Sequence, residues 1–186
     1  MPKIIAEKKD WLSLGFKLFA ENGVSGIVVE KMAKKLKCNK SSFYWHFKTK
    51  KDFINQLVAH WVFTETEQII FLTNQEVSTL KKLERLVKIT YKKTSTLDFI
   101  FYLKRYAIKE KSIQKIIDKI DRQRIDYVSM LLQEFGYSLK DAVIKAEILY
   151  KHLIGYHEMI RYKKQSKNYL SEVIQELAHF INFKNQ

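Results

Sequence analysis

The sequence predicts an all-α fold of about nine helices, and three observations carry that prediction. The 186 residues include one Pro and five Gly, far fewer breakers than the turns of a β-sandwich or an α/β sheet require. Apolar residues make up 46% of the chain, and they recur at three- and four-residue intervals in one segment after another. No segment reads as a strand. The length suits one medium domain, or two small ones sharing a core.

The elements follow in order. A first helix is expected over residues 4–22, with Trp11, Leu12, Leu14, Gly15, Leu18 and Phe19 on one broad face. Gly23 then serves as the left-handed residue that closes it. A short second helix, residues 28–36, turns Val29, Met32, Ala33 and Leu36 inward. Lys37 and Cys38 break it, and Asn39 caps a third helix over residues 40–47. Thr49 and Asp52 form a T-x-x-D capping box for a fourth helix that runs to about Thr73.

Longer helices come next. Leu80, Leu83, Leu86, Val87 and Tyr91 make one stripe, and Thr96 can cap a helix through Phe99 to Ile108. Ser112 opens a long amphipathic helix carrying Ile113, Ile116, Ile117, Ile120, Val128, Leu131 and Leu132, which Gly136 ends. Ser138 and Asp141 form a second capping box for a helix to about Tyr162. A polar stretch, residues 163–168, precedes a last helix from Tyr169 to about Lys184.

Charge and composition exclude several classes. The chain carries 34 Lys and Arg against 20 Asp and Glu, a formal net charge of +14. Only five of the basic residues are Arg, in a chain also rich in Ile, so part of the excess can reflect nucleotide bias in the source genome. Distribution is better evidence: residues 1–55 hold 12 Lys against five acids, or +7, which is half the excess in under a third of the chain. A localised basic segment is the footprint of phosphate binding. Cys38 is the one cysteine, which excludes an internal disulfide and a multi-Cys metal site. The first residues, MPKIIAEKKDWL, lack the apolar core of a signal peptide, and no apolar run approaches the roughly 18 residues of a membrane span. A soluble, cytoplasmic protein is expected, with no cofactor and no metal. His152 and His157 are five apart and do not stack as ligands on one helical face, and Cys38 reads as a small hydrophobe more than as a redox sensor.

The chemistry lies in residues 28–47, a helix, a three-residue turn and a helix. That spacing fits a helix-turn-helix, whose second helix enters the major groove while the first braces it. Phe43 and Phe47, four apart, bury one face against Met32 and the first helix. The rest of the helix, Lys40, Ser41, Ser42, Tyr44, Trp45 and His46, offers donors and flat rings of the kind that reach phosphates, base edges and thymine methyls. Lys34, Lys35 and Lys37 read most simply as a solvated face.

Here the chain resembles the TetR family of bacterial transcriptional regulators. The pattern covers Trp11 to Phe53: Leu18-Phe19 and Gly23, then Met32-Ala33, then Phe43-Tyr44-Trp45-His46-Phe47 and Lys50. The resemblance implies that Lys40, Ser41, Tyr44 and Trp45 face the major groove. Ser42, Tyr44, His46 and Lys50 would hold phosphates, Lys50 with help from the dipole of the fourth helix. Two positions depart from the family pattern. Val28 stands where Ser or Thr generally caps the second helix, and Lys37 where a turn Gly is common; a side chain fits there if the backbone avoids positive φ.

The resemblance also implies an architecture: a DNA-binding domain over residues 1–50 and a helical effector-binding and dimerisation domain over residues 51–186. A cavity among the central helices would take a small apolar or amphipathic effector, with Trp61, Tyr91, Phe99, Tyr102, Tyr106 and Tyr127 as lining candidates. The last two helices would pack with their symmetry mates in a homodimer through Leu149, Leu153, Tyr156, Ile160, Leu170, Ile174 and Leu177, although the same faces also fit an intrachain core. The function implied is a ligand-responsive repressor that binds a near-palindromic DNA operator. One alternative keeps DNA binding without an effector. A remote one is a helical enzyme, for which the chain offers neither a nucleophile elbow nor a Gly-rich phosphate loop.

Overall fold

Capping chemistry sets most of the helix boundaries. The computed structural model describes residues 6–94 and 98–181, so the expected cap Thr96 and the outer ends of the first and last helices lie outside the described residues. Among those described there are helices and no strand. They are α1 (Lys8–Asn22), α2 (Val29–Lys35), α3 (Ser41–His46), α4 (Lys50–Val62), α5 (Gln68–Asn74), α6 (Thr79–Thr90), α7 (Asp98–Ala107), α8 (Lys111–Glu134), α9 (Leu139–Ile160) and α10 (Tyr169–Ala178). A 3₁₀ turn, Gly23–Gly26, follows α1, and a π-helical turn, Phe63–Glu67, joins α4 to α5. The fourth helix expected to reach Thr73 is therefore present as one helical run with a π interruption.

The local signals act as expected. Gly23 has φ +61°, and its N–H donates to Phe19 O; Gly136 has φ +107° after α8. Thr49 Oγ1 accepts from the Asp52 N–H at 3.0 Å, and Ser138 Oγ from the Asp141 N–H at 3.2 Å, each satisfying a donor that a helix start leaves open. Asn39 Oδ1 accepts from the Ser41 N–H at 3.1 Å, while Val28 precedes α2 without any side-chain cap. Lys37 does not avoid positive φ: it sits at +52°. Its α-carbon takes the left-handed turn that a Gly would supply, at a strain of about 1–2 kcal/mol.

The chain forms two compact units, Met1–Phe63 with Ser95–Ile116, and Thr64–Thr94 with Ile117–Gln186. The division does not fall at residue 50. In the first unit α7 packs on α1 and on the 3₁₀ turn. Phe99, fully buried, stacks on Phe16 at 4.3 Å and lies 4.7 Å from Phe19 and 6.2 Å from Trp61, centroid to centroid. Tyr102 lies against Gly23, where a Cβ would fall 2.7 Å from its ring.

The second unit is built from three small apolar clusters. Leu132, Ala142, Ala146 and Ile181 form one; Leu83, Tyr127 and Leu131 a second; Tyr91, Val173 and Leu177 a third. Polar side chains tie these together. Arg124 donates to Thr66 Oγ1 and to the Glu65 carbonyl, so it closes the π turn, and Tyr150 donates to Asp121 at 2.6 Å. The Lys93 ammonium donates to the carbonyls of Ile160, Arg161 and Lys163 at 2.7–2.8 Å, which satisfies the open end of α9. No helix among the described residues is long and apolar enough to cross a membrane.

Candidate nucleic-acid interface

Helix α3 is six residues long, too short to hold itself together in water. Tertiary packing fixes it. Phe43 and Phe47 are fully buried with Phe53 of α4, their rings 4.8–5.1 Å apart. Trp11 of α1 meets Phe43 edge-on at 5.2 Å. One side of α3 is thus locked by four aromatic rings, and the other is left to solvent.

On that outer side stand Ser41, Tyr44 and Trp45, preceded by Lys40 and followed by Lys48. Tyr44 is 56% exposed and Trp45 77%. Two large amphipathic rings in water beside lysines make a surface suited to base edges, thymine methyls and phosphates. Trp45 stands in solvent, and among the described residues its ring contact is the T-shaped one with His46, centroids 4.6 Å apart. Lys40 lies 4.0 Å from Glu30 with both side chains largely exposed, an ion pair too weak to hold it from a phosphate.

Ser42 does not share that outer side. It is 6% exposed, and its hydroxyl donates to the Ala6 carbonyl at 3.2 Å and accepts from Trp11 Nε1–H at 3.4 Å. A buried indole N–H needs an acceptor, and Ser42 supplies it from inside, so this hydroxyl faces the core and not a phosphate. His46 Nε2 lies 2.8 Å from the same Ala6 carbonyl. A carbonyl only accepts, so Nε2 carries the proton, and the bond fixes the ring at the edge of the exposed face. The Lys50 ammonium donates to Val24 O at 3.2 Å and keeps two further donors. Lys48 and Lys51, both exposed, join this rim although the sequence reading did not single them out; their signal was adjacency to Lys50. Cys38 is half-buried and free.

The expected effector-lining residues do not form one group. Trp61, Phe99 and Tyr102 belong to the aromatic packing of the first unit, and Tyr106 is there too, beside Glu110 and Lys51. Tyr91 and Tyr127 belong to separate clusters of the second. Tyr91 is buried, with its hydroxyl 2.8 Å from His152 Nδ1, and His152 Nε2 lies 3.5 Å from Glu176; burial, then Glu176, push the Tyr91 phenol far up. Tyr127 donates to Asn74 at 2.7 Å, and burial, then Glu134, raise it to about 12.

The expected dimer residues divide as well. Leu149, Leu153 and Tyr156 pack into the clusters of their own chain, and Leu177 is buried there, as the intrachain alternative had it. Ile160 and Leu170 are half-buried, and Ile174 is exposed. Other apolar residues of α9 are uncovered: Ile144, Ile148 and Met159 along one strip, and Leu139, Val143 and Ile154 along another. The signal lay in the sequence, in the helical spacing of Ile144, Ile148, Gly155 and Met159, but two apolar faces on one helix gave no way to rank them.

Comparison with known proteins bears on this geometry. Residues 12–57 match the family described as bacterial regulatory proteins, tetR family. No curated protein matches by sequence. Among solved structures the chain is similar to one from Saccharomonospora viridis, described as a transcriptional regulator in complex with choline, with TM-score 0.77, 17% identity and 95% of each chain covered. It is also similar to a Clostridium perfringens structure described as a fatty acid metabolism regulator, with TM-score 0.68, 22% identity, and 93% of this chain and 97% of that one covered. A regulator from Rhodococcus follows at TM-score 0.73 and 15% identity, covering 95% and 96%.

Proposed function

The chain belongs to the tetR family of bacterial regulatory proteins, and from that premise we propose that it is a cytoplasmic, ligand-responsive repressor that binds a near-palindromic operator as a homodimer. The observation that carries the reading is the two-sided α3: a face locked by Trp11, Phe43, Phe47 and Phe53, and an exposed face of Ser41, Tyr44 and Trp45 flanked by Lys40 and Lys48. A rigid backing and an open aromatic–basic face are what a recognition helix needs. Lys40, Ser41, Tyr44 and Trp45 read bases, while His46 and Lys50 hold phosphates. Two such helices in a dimer, about 34–36 Å apart, meet successive major grooves.

The exposed apolar residues of α9, with Ile174 of α10 and Phe180 just beyond its end, support self-association, because large apolar surfaces left open to water are rare in monomers. The effector is a small apolar or amphipathic molecule. The Saccharomonospora viridis relative was solved with choline, a cation of the type that aromatic rings hold. An effector that prefers one arrangement of the dimer shifts the population away from the DNA-competent state.

Selection of bound duplexes from a random pool tests the reading. A palindrome with half-sites one helical turn apart is expected, and recovery of no consensus would sink it. Lys40→Ala should weaken specific binding and relax base preference. His46→Ala should weaken specific and non-specific binding alike and flatten the salt dependence. A thermal-shift screen of small amphipathic molecules checks the effector; stabilisation by none favours a regulator without one.

A further inference from the structure

The first compact unit contains a second basic segment, far from the helix-turn-helix in sequence. Residues 104–115, the end of α7, the turn and the start of α8, carry Lys104, Arg105, Lys109, Lys111 and Lys115 against one acid, Glu110. Glu110 is engaged: Lys51 of α4 donates to it at 2.9 Å. That ion pair joins the α7–α8 corner to the first turn of α4, next to Lys48 and Lys50. Lys109, Lys111 and Lys115 are exposed, and no described residue pairs with them. Lys111 and Lys115, four apart on α8, share one face.

Charge accounting by unit sharpens the point. The unit holding α3 carries 17 basic against seven acidic residues, or +10, and the other 17 against 13, or +4. A Lys-rich genome would raise both alike. The difference concentrates where the recognition helix is, and three of those ten charges come from residues 95–116, in which Asp98 and Glu110 offset five basic residues.

We propose that the α7–α8 corner is a second phosphate-binding element, in which Lys109, Lys111 and Lys115 hold the sugar–phosphate backbone of duplex DNA beside the stretch read by α3. The proposal rests on the DNA-binding reading above and adds a site outside the residues 12–57 that match the family. Its ligand is the backbone alone, so its contribution is independent of sequence and steep in salt.

The test uses the full chain and a duplex of arbitrary sequence about four helical turns long, roughly 40 base pairs, with affinity followed by fluorescence anisotropy across a salt series. The triple variant Lys109→Gln/Lys111→Gln/Lys115→Gln should lower the slope of log K against log salt by about 0.9 for each lysine that meets a phosphate, and so by about 1 to 3 per chain. The triple Lys→Arg variant should keep the parent slope. A control, Lys140→Gln/Lys164→Gln/Lys167→Gln, removes the same charge from exposed positions of the other unit and should leave the slope alone. A slope unchanged in the first variant, or lowered equally in the control, overturns the second element while His46→Ala still reports on α3. A parent that does not bind the duplex at all overturns the DNA-binding reading itself. Matching thermal unfolding of parent and variants excludes misfolding as the cause.

Discussion

Gly15→Ala adds a single methyl group where α1 lies close against α4. A Cβ at Gly15 would lie 2.3 Å from Phe53 Cζ, 2.7 Å from its Cε1 and 3.3 Å from Leu57 Cδ2. Carbon atoms sit comfortably at about 3.5–4.0 Å, so the ring must retreat by more than an ångström. Phe53 has nowhere to go. It is fully buried, with Phe43 5.1 Å and Phe47 4.8 Å away. Overpacking of this kind costs about 1–3 kcal/mol. Alanine's better helix propensity returns up to about 1 kcal/mol, but the shortest approach, 2.3 Å, puts the overpacking at the upper end of that range, which leaves a net loss of about 1–2 kcal/mol. For a chain of this size that lowers Tm by roughly 2–8 °C.

Urea unfolding measures the loss directly, as a lower midpoint at unchanged m. Because Phe53 backs Phe43 and Phe47, DNA affinity should fall with stability. The second substitution Phe53→Leu frees space, so Gly15→Ala/Phe53→Leu should be less destabilised than the two single changes added together. A midpoint for Gly15→Ala equal to or above the parent's would refute the close approach of α1 and α4, and additivity in the double variant would refute Phe53 as the obstacle.

Ser42→Ala should cost about 1–2 kcal/mol by leaving Trp11 Nε1–H without its acceptor, yet leave DNA affinity as in the parent at temperatures where both are fully folded; a lower affinity there would restore Ser42 as a phosphate ligand. Lys37→Gly removes left-handed strain of about 1–2 kcal/mol against about 0.5–1 kcal/mol of lost backbone freedom, so a modestly higher urea midpoint is expected and a lower one would contradict φ +52°. His157 is held neutral in the fold: burial, then the charge of Arg161, lower its pKa despite the bond from Nε2 to the Thr90 carbonyl, and Nδ1 is buried without a partner. The unfolded chain therefore binds the extra proton first, so the His157 contribution is complete above its ordinary pKa near 6.5 and is lost as pH falls below it; the acid-side loss of stability should shrink in His157→Gln, and an unchanged pH profile would refute the assignment. Phe99→Ala empties a fully buried site against Phe16, Phe19 and Trp61 and should cost about 3–5 kcal/mol. Amide exchange in α1 should quicken with it, and unaltered protection there would mean that α7 does not support the helix-turn-helix.

What was legible in the sequence was what a few neighbouring residues decide. Gly23, Gly136, Asn39, Thr49 and the Ser138–Asp141 box act on atoms no more than four positions away, and the structure uses each as expected. Phe43 and Phe47 were legible because a four-residue interval on a short helix leaves one face to bury. Ser42 was not: its direction depends on Trp11, 31 residues away, and on an indole N–H in need of an acceptor. The inward face of α9 was ambiguous for a similar reason. Leu149, Leu153 and Tyr156 repeat as regularly as Ile144, Ile148 and Met159, and only Tyr91, Val173 and Leu177 on other helices decide which set is covered.

The compact unit that holds α3 reaches past residue 50 for a physical reason. A cut at residue 50 separates Phe53 from Phe43 and Phe47, three rings in mutual contact that set the orientation of the recognition helix. It also leaves out Phe99 and Tyr102, which close the far side of α1 and press on Gly23, the residue that turns the chain toward α2. Trp61, Phe99 and Tyr102 read as ligand-lining residues because an aromatic in a helical body suits a cavity as well as a core, and composition does not separate the two uses. Once they are counted as packing on α1, the basic residues of α7 and α8 that accompany them belong to the same unit as α3. The +10 of that unit is then assembled from two stretches of chain that no sequence window spans.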